Sequence, residues 1–168
     1  MIKKLFKILY NLLFRQKQTE KEVILKEAFK SKIALKNGID NTTNDFEILE
    51  CIYYTDEMFK EVEEILITKL GIKKEDIEKT SYYRCKELNK LVKGSKTSDH
   101  MKGKAIDFYV KGFTPQQVCK AINDDYLQYK QLIIYETKKI THISFDDFYF
   151  NCTSEFLTKT KDGVYKKN

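Results

Sequence analysis

Histidine is nearly missing from this chain: two occur in 168 residues, His100 and His142. Proline occurs once, and six glycines leave no room for a low-complexity linker. The four cysteines form no C-x-x-C pair, which argues against a four-sulfur zinc knot. Reduced thiols are expected instead, consistent with synthesis in a reducing cytoplasm. No apolar run approaches the ~20 residues that a bilayer span needs. The net charge of +6 is spread over scattered lysines, without a basic stripe interleaved with aromatics, so no nucleic-acid partner is expected. What is present suits a folded body: 42% hydrophobic residues, with eleven Phe and eleven Tyr, enough for one domain with a substantial core.

Residues 1–17 stand apart. Ile2, Leu5, Phe6, Ile8, Leu9, Leu12 and Leu13 fall at helical spacing, with Lys3, Lys4, Lys7 and Arg15 between them. This basic amphipathic segment reads as a helix docked on the domain or on a partner protein, or as one lying in a membrane surface, with an export signal as a third reading. The main domain is expected over residues 20–160, and residues 161–168 read as a polar tail. Within the domain, the spacing predicts a helix over 20–34 that stops before Gly38, and a long helix from Asp45 to Leu70 closed by Gly71. Ile77 to Tyr83 reads as a strand and Cys85 to Val92 as a helix. Ala105 to Val110 reads as a buried strand, and Thr114-Pro115-Gln116-Gln117 opens another helix with a capping box. Leu132–Glu136 and Ile140–Phe145 read as a hairpin across Thr137-Lys138-Lys139. The class is α+β, with helices packed on a small, mostly antiparallel sheet.

The two histidines lie beside carboxylates. Asp107 sits inside the apolar run Ala105-Ile106-Asp107-Phe108-Tyr109-Val110, where a charge demands a partner. His100, Asp107 and His142 make a set of two imidazoles and one carboxylate, the ligand count of a zinc site that keeps a position for water. If Glu136 pairs with Ile140, then Ile134 faces His142, and Glu136 shares a surface with that histidine. Glu136 is then the expected general base. Arg84 offers a planar fork of donors for a substrate carboxylate or a polarised carbonyl. Ser98 and Ser144 flank the histidines, where either orients a ligand or bonds substrate.

The run Ser81-Tyr82-Tyr83-Arg84, Leu88-Asn89, Val92-Lys93-Gly94-Ser95 and Ser98-x-His100-x-x-Gly103-x-Ala105-x-Asp107 resembles the signature of the zinc D-alanyl-D-alanine carboxypeptidase family. That family shares its metal site with the amino-terminal domain of hedgehog proteins. Glu136-x5-His142-Ile143-Ser144 is similar to its last ligand strand. Ala34-Leu35-Lys36-Asn37-Gly38-Ile39-Asp40-Asn41 resembles the short, phage-type branch. The likeness spans roughly residues 22–150. It implies zinc (Zn2+) on His100, Asp107 and His142, Glu136 as base, and Arg84 with Ser98 on substrate. The implied substrate is the peptide stem of peptidoglycan, cut by a carboxypeptidase or endopeptidase at the bacterial cell wall, in phage lysis or as part of a virion. Three positions depart from the pattern: Tyr82 and Lys93 stand where many members have Gly, and Ile140 where they often have Trp. A non-catalytic, zinc-stabilised binding or structural module of the same fold is the alternative reading.

Overall fold

The computed structural model describes residues 16–146 and 154–168. Most of the basic segment 1–17 therefore lies outside the described residues. No described helix is long and apolar enough to cross a membrane. Helix α1 covers residues 16–28 and α2 Lys32–Lys36. The single helix expected over 20–34 is thus two, because Ser31 starts a new one by accepting the Ala34 N–H at 3.1 Å. The long helix α3 runs Phe46–Leu70. Asp45 caps it by accepting the Glu47 and Ile48 N–H groups, and Gly71 at φ +64° ends it. Ile52, Phe59, Val62 and Leu66 form its buried stripe.

Helix α4 is Lys86–Leu91, and α5 is Pro115–Asn123, opened by the expected Thr114–Gln117 capping box. The strands are β1 (Ile77–Ser81), β2 (Ala105–Val110), β3 (Gln131–Tyr135), β4 (Thr141–Ser144), β5 (Glu155–Lys159) and β6 (Tyr165–Lys167). They form one sheet in the order β1-β2-β4-β3-β5-β6. Every neighbouring pair is antiparallel except β3–β5. The α+β class with a mostly antiparallel sheet is what the sequence predicts. Strands β5 and β6 are additional: residues 161–168, expected as a tail, supply β6, and the Asn168 N–H bonds the Phe156 carbonyl.

The sheet has two unlike faces. Ile106, Phe108, Leu132, Ile134 and Ile143 join the core cluster that α3 and α5 complete. Phe59 of α3 meets Phe108 edge to face, with ring centroids 5.0 Å apart. Alternation along the strands sends Asp107, His142, Ile133 and Tyr135 to the opposite face.

The hairpin register differs from the expected one by a single residue. Ile133 pairs with His142 and Ile134 with Thr141. Leu132 and Ile143 must both enter the core, and they pair with each other. The expected register would have driven the imidazole into that core with Ile134. A one-residue slip inverts every side chain, so Glu136 does not share the surface of His142.

Candidate metal centre

His100 sits on a 3-10 turn, Asp99–Lys102, closed by Gly103 at φ +70°. Only glycine fits there: a Cβ would lie 2.6 Å from the Ile52 side chain and 3.0 Å from the Ile48 carbonyl. The turn therefore packs directly on α3. Lys130 steadies it through Asp99, 3.0 Å away. Nearby, Lys93 adopts φ 56°, in the left-handed backbone region that favours glycine.

His100 Nδ1 lies 2.6 Å from the Tyr82 carbonyl oxygen. A carbonyl only accepts, so Nδ1 carries the proton and Nε2 keeps its lone pair. Tyr82 is fixed in turn, since its hydroxyl donates to the Ile52 carbonyl. Asp107 comes from the middle of β2, and His142 stands opposite it on β4. His100 Nε2 is 3.2 Å from Asp107 Oδ1 and 3.2 Å from His142 Nδ1, while His142 Nδ1 is 2.8 Å from Asp107 Oδ1. All three residues are buried.

Burial lowers the pKa of His100, outweighing the pull of Asp107 toward the charged form. For Asp107, burial acts to raise the pKa, but His100 and His142 overcome it and hold the carboxyl well below its usual range. With its Nδ1 hydrogen given to the Tyr82 carbonyl, a neutral His100 turns its Nε2 lone pair toward Asp107 Oδ1 across 3.2 Å. A divalent cation resolves that conflict. Tetrahedral zinc bonded at about 2.0–2.1 Å holds its ligand atoms about 3.3 Å apart, close to the triangle found here. The donor set fits zinc.

The second oxygen of Asp107 accepts from Arg84 Nη2 at 2.5 Å, and Arg84 Nε donates to Ser81 Oγ at 2.8 Å. Arg84 thus orients the carboxylate, as outer partners of metal ligands do. Buried Asn41 brackets Arg84: its amide donates to the Tyr83 carbonyl at 3.0 Å and its oxygen accepts the Cys85 N–H at 2.8 Å. Sequence reasoning missed Asn41 and the Tyr82 carbonyl, because a backbone acceptor has no residue-type signature.

The structure brings together His100, Asp107, His142 and Arg84. Ser98 heads the 3-10 turn, where its hydroxyl makes no capping bond. Ser144 follows two residues after His142, fully buried, with no partner for its hydroxyl among the described residues. Glu136 is exposed in the β3–β4 turn, and its carboxylate accepts the Lys161 N–H at 3.0 Å. Tyr135 holds the corresponding place on the site face. Burial raises its pKa, and the charges of Asp107 and Arg84 both act on its phenol. The core-facing demand of Leu132, Ile134 and Ile143 was the signal that could have found it.

A cleft of about 640 Å³ includes Ser81, Arg84, Asp107, Lys138 and Ile140 in its walls. A family model described as Peptidase M15 matches residues 21–144, from within α1 to the last residue of β4. No curated protein matches the chain.

Proposed function

The chain belongs to the peptidase M15 family, whose members are zinc metallopeptidases, and on that premise we propose that it hydrolyses the peptide stem of bacterial peptidoglycan. His100 Nε2, Asp107 Oδ1 and His142 Nδ1 would hold the zinc. The observation that carries the reading is their convergence: three buried ligand atoms from separate elements lie 2.8 to 3.2 Å from one another. Bound zinc supplies Lewis acidity and brings the pKa of its water near neutrality.

The protein's own groups position the reaction. Arg84 holds Asp107 through the oxygen that faces away from the histidines. The Tyr82 carbonyl fixes the tautomer of His100. Tyr135 stands on the site face, where a neutral phenol donates a hydrogen bond to the carbonyl oxygen under attack. The cleft admits the peptide beside Arg84. The family likeness supports cleavage at a D-alanine or a neighbouring bond, with the cell wall as the place of action. The similarity of residues 34–41 to the phage-type branch supports a role in phage lysis or in a virion, and residues 1–17 supply a contact with membrane or partner.

Elemental analysis with a hydrolysis assay on purified stem peptide tests this reading. One zinc per chain and release of a peptide fragment are expected, with both lost in His142→Ala. A folded, metal-free chain with no hydrolysis would sink it. One observation favours a second reading, a non-catalytic zinc-stabilised module: the nearest hairpin carboxylate, Glu136, is turned away from the site. One zinc per chain without hydrolysis of any stem peptide would select that reading.

A further inference from the structure

Tyr135 is the last residue of β3, and it has no partner on β4, because that pairing stops at Ile134 and Thr141. Its one strand partner among the described residues is Lys159 of β5, and Lys159 pairs in turn with Tyr165 of β6. Residues directly across a sheet share a face, so the three side chains form one rung on the metal-bearing face. Lys159 Nζ lies 5.9 Å from the Tyr135 ring centroid and 4.9 Å from that of Tyr165, so one ammonium serves two aromatic rings. It makes no ion pair among the described residues. The backbone adds two links at the same level. The Glu136 N–H donates to the Lys159 carbonyl at 3.1 Å, and the Lys161 N–H donates to the Glu136 carboxylate at 3.0 Å. One position back, Leu157 is buried opposite Ile133 and anchors β5 to the sheet. Lys138 also reaches the Tyr135 ring, at 4.9 Å, but it stands exposed on the turn.

Strands β5 and β6 lie beyond residue 144, where the family match ends. We propose that Lys159, braced by Tyr165, is a positioning residue for Tyr135: the β5–β6 hairpin fixes the phenol beside the metal centre. The reason is local. A tyrosine at a strand end, open on one side, keeps rotamer freedom that blurs a hydrogen bond to a reacting oxygen. An ammonium held against its ring, and itself held by a second ring, removes that freedom before substrate arrives. Donors already in place are the ones that lower a barrier. The phenol is within range of the site, since the charges of Asp107 and Arg84 act on it. Lys159 itself acts through Tyr135 and not on substrate. The inference rests on the peptidase reading for the task of the phenol, whereas the rung exists without it.

The test uses the zinc-loaded full chain, with hydrolysis of stem peptide and 19F resonances as separate readouts. Lys159→Met should lower kcat about 3–10-fold with KM and zinc content unchanged. Lys159→Arg, which keeps a cation for both rings, should restore most of that loss. In a Tyr135→Phe background, Lys159→Met should cost less than about two-fold, because the group it positions is gone. With 3-fluorotyrosine in place of Tyr135, the 19F resonance should shift and broaden in Lys159→Met and return in Lys159→Arg. Where the wild type cleaves the peptide, kcat decides. An unchanged kcat in Lys159→Met, or an equal loss with Tyr135→Phe present, overturns the proposal. Where the wild type cleaves nothing, the resonance decides. A shift that Lys159→Arg reverses upholds the rung and rejects the peptidase reading, and an unmoved resonance overturns both. If Lys159→Met does not fold, Tyr165→Ala, which removes only the brace, is read in the same way.

Discussion

Asp107 and Asp56 are buried almost equally, 4% and 6% exposed, and each touches a cation. They nevertheless do different things. Asp56, on α3, meets Lys79 at 2.8 Å, and Lys79 also reaches Glu27 and lies over the Phe59 ring. Lys60 stands 4.0 Å away from the same carboxylate. Donors and acceptors match there, and the cluster is a polar seam between α1, α3 and β1. Asp107 also has its cation, Arg84, but its other oxygen faces two ring nitrogens at 3.2 and 2.8 Å. One of those nitrogens has no proton to offer. Burial and ion pairing are therefore common to both sites, and an excess of lone pairs belongs to one. That excess identifies a cation site.

The largest effect expected follows directly. Asp107→Asn should remove zinc and lower hydrolysis by at least about 10³-fold, as loss of an essential group does. Asp56→Asn should leave zinc content and kcat unchanged. It should instead cost about 2–3 kcal/mol of stability, somewhat less than a buried pair broken outright, because Glu27 still faces Lys79. Metal content, kcat and urea midpoints on both variants check the contrast. Zinc loss in Asp56→Asn, at a temperature where it stays folded, would erase the distinction.

A second contrast lies within the β3–β4 hairpin. Tyr135→Phe should retain zinc and lose about 10²–10³-fold in kcat, the scale of one hydrogen bond to a developing oxyanion. Glu136→Gln should change kcat by less than about three-fold, because its carboxylate is engaged with the Lys161 N–H. The reverse pattern, Glu136→Gln inactive and Tyr135→Phe active, would return the role of base to Glu136. Zinc content measured beside kcat separates either result from a disturbed metal site.

These two contrasts also mark how far the sequence could be read. The His100–Asp107 half was legible because its spacing is enforced locally. Gly103 must adopt positive φ against α3, Ala105 must be small, and Asp107 falls on the outward phase of an otherwise apolar strand. Helix α3 was legible from Asp45, its apolar stripe and Gly71. The hairpin half was harder. Its register depends on which of two apolar alternations enters the core, and Ile133, Ile134 and Ile140 offer no polarity to decide it. Packing of Leu132 against Ile143 settles the question, and that is a tertiary fact. The helix break at Ser31 escaped for a similar reason, since the apolar pattern continues through it. Strand β5 pairs in parallel with β3, a partner that no local pattern announces.

The smallest effect expected concerns the metal-free protein and pH. His100 has a folded pKa below its ordinary 6.5, because burial penalises the imidazolium. The folded state therefore binds fewer protons than the unfolded chain just below that pH. Stability linked to His100 is fully present above about 6.5 and declines as pH falls toward the lowered value. Asp107 is depressed as well, so its contribution persists to below 3.8 and is lost only in stronger acid. With chelator present, the urea midpoint should fall between pH 7.5 and pH 5.5, and again below pH 3.8. The first decline should vanish in His100→Gln, which cannot charge, and the second should shrink, because His100 is one of the groups that depress Asp107. A midpoint in the wild-type chain that stays flat from pH 7.5 to 5.5 would mean that His100 accepts a proton in place, and the opposition of lone pairs at Asp107 would then not exist.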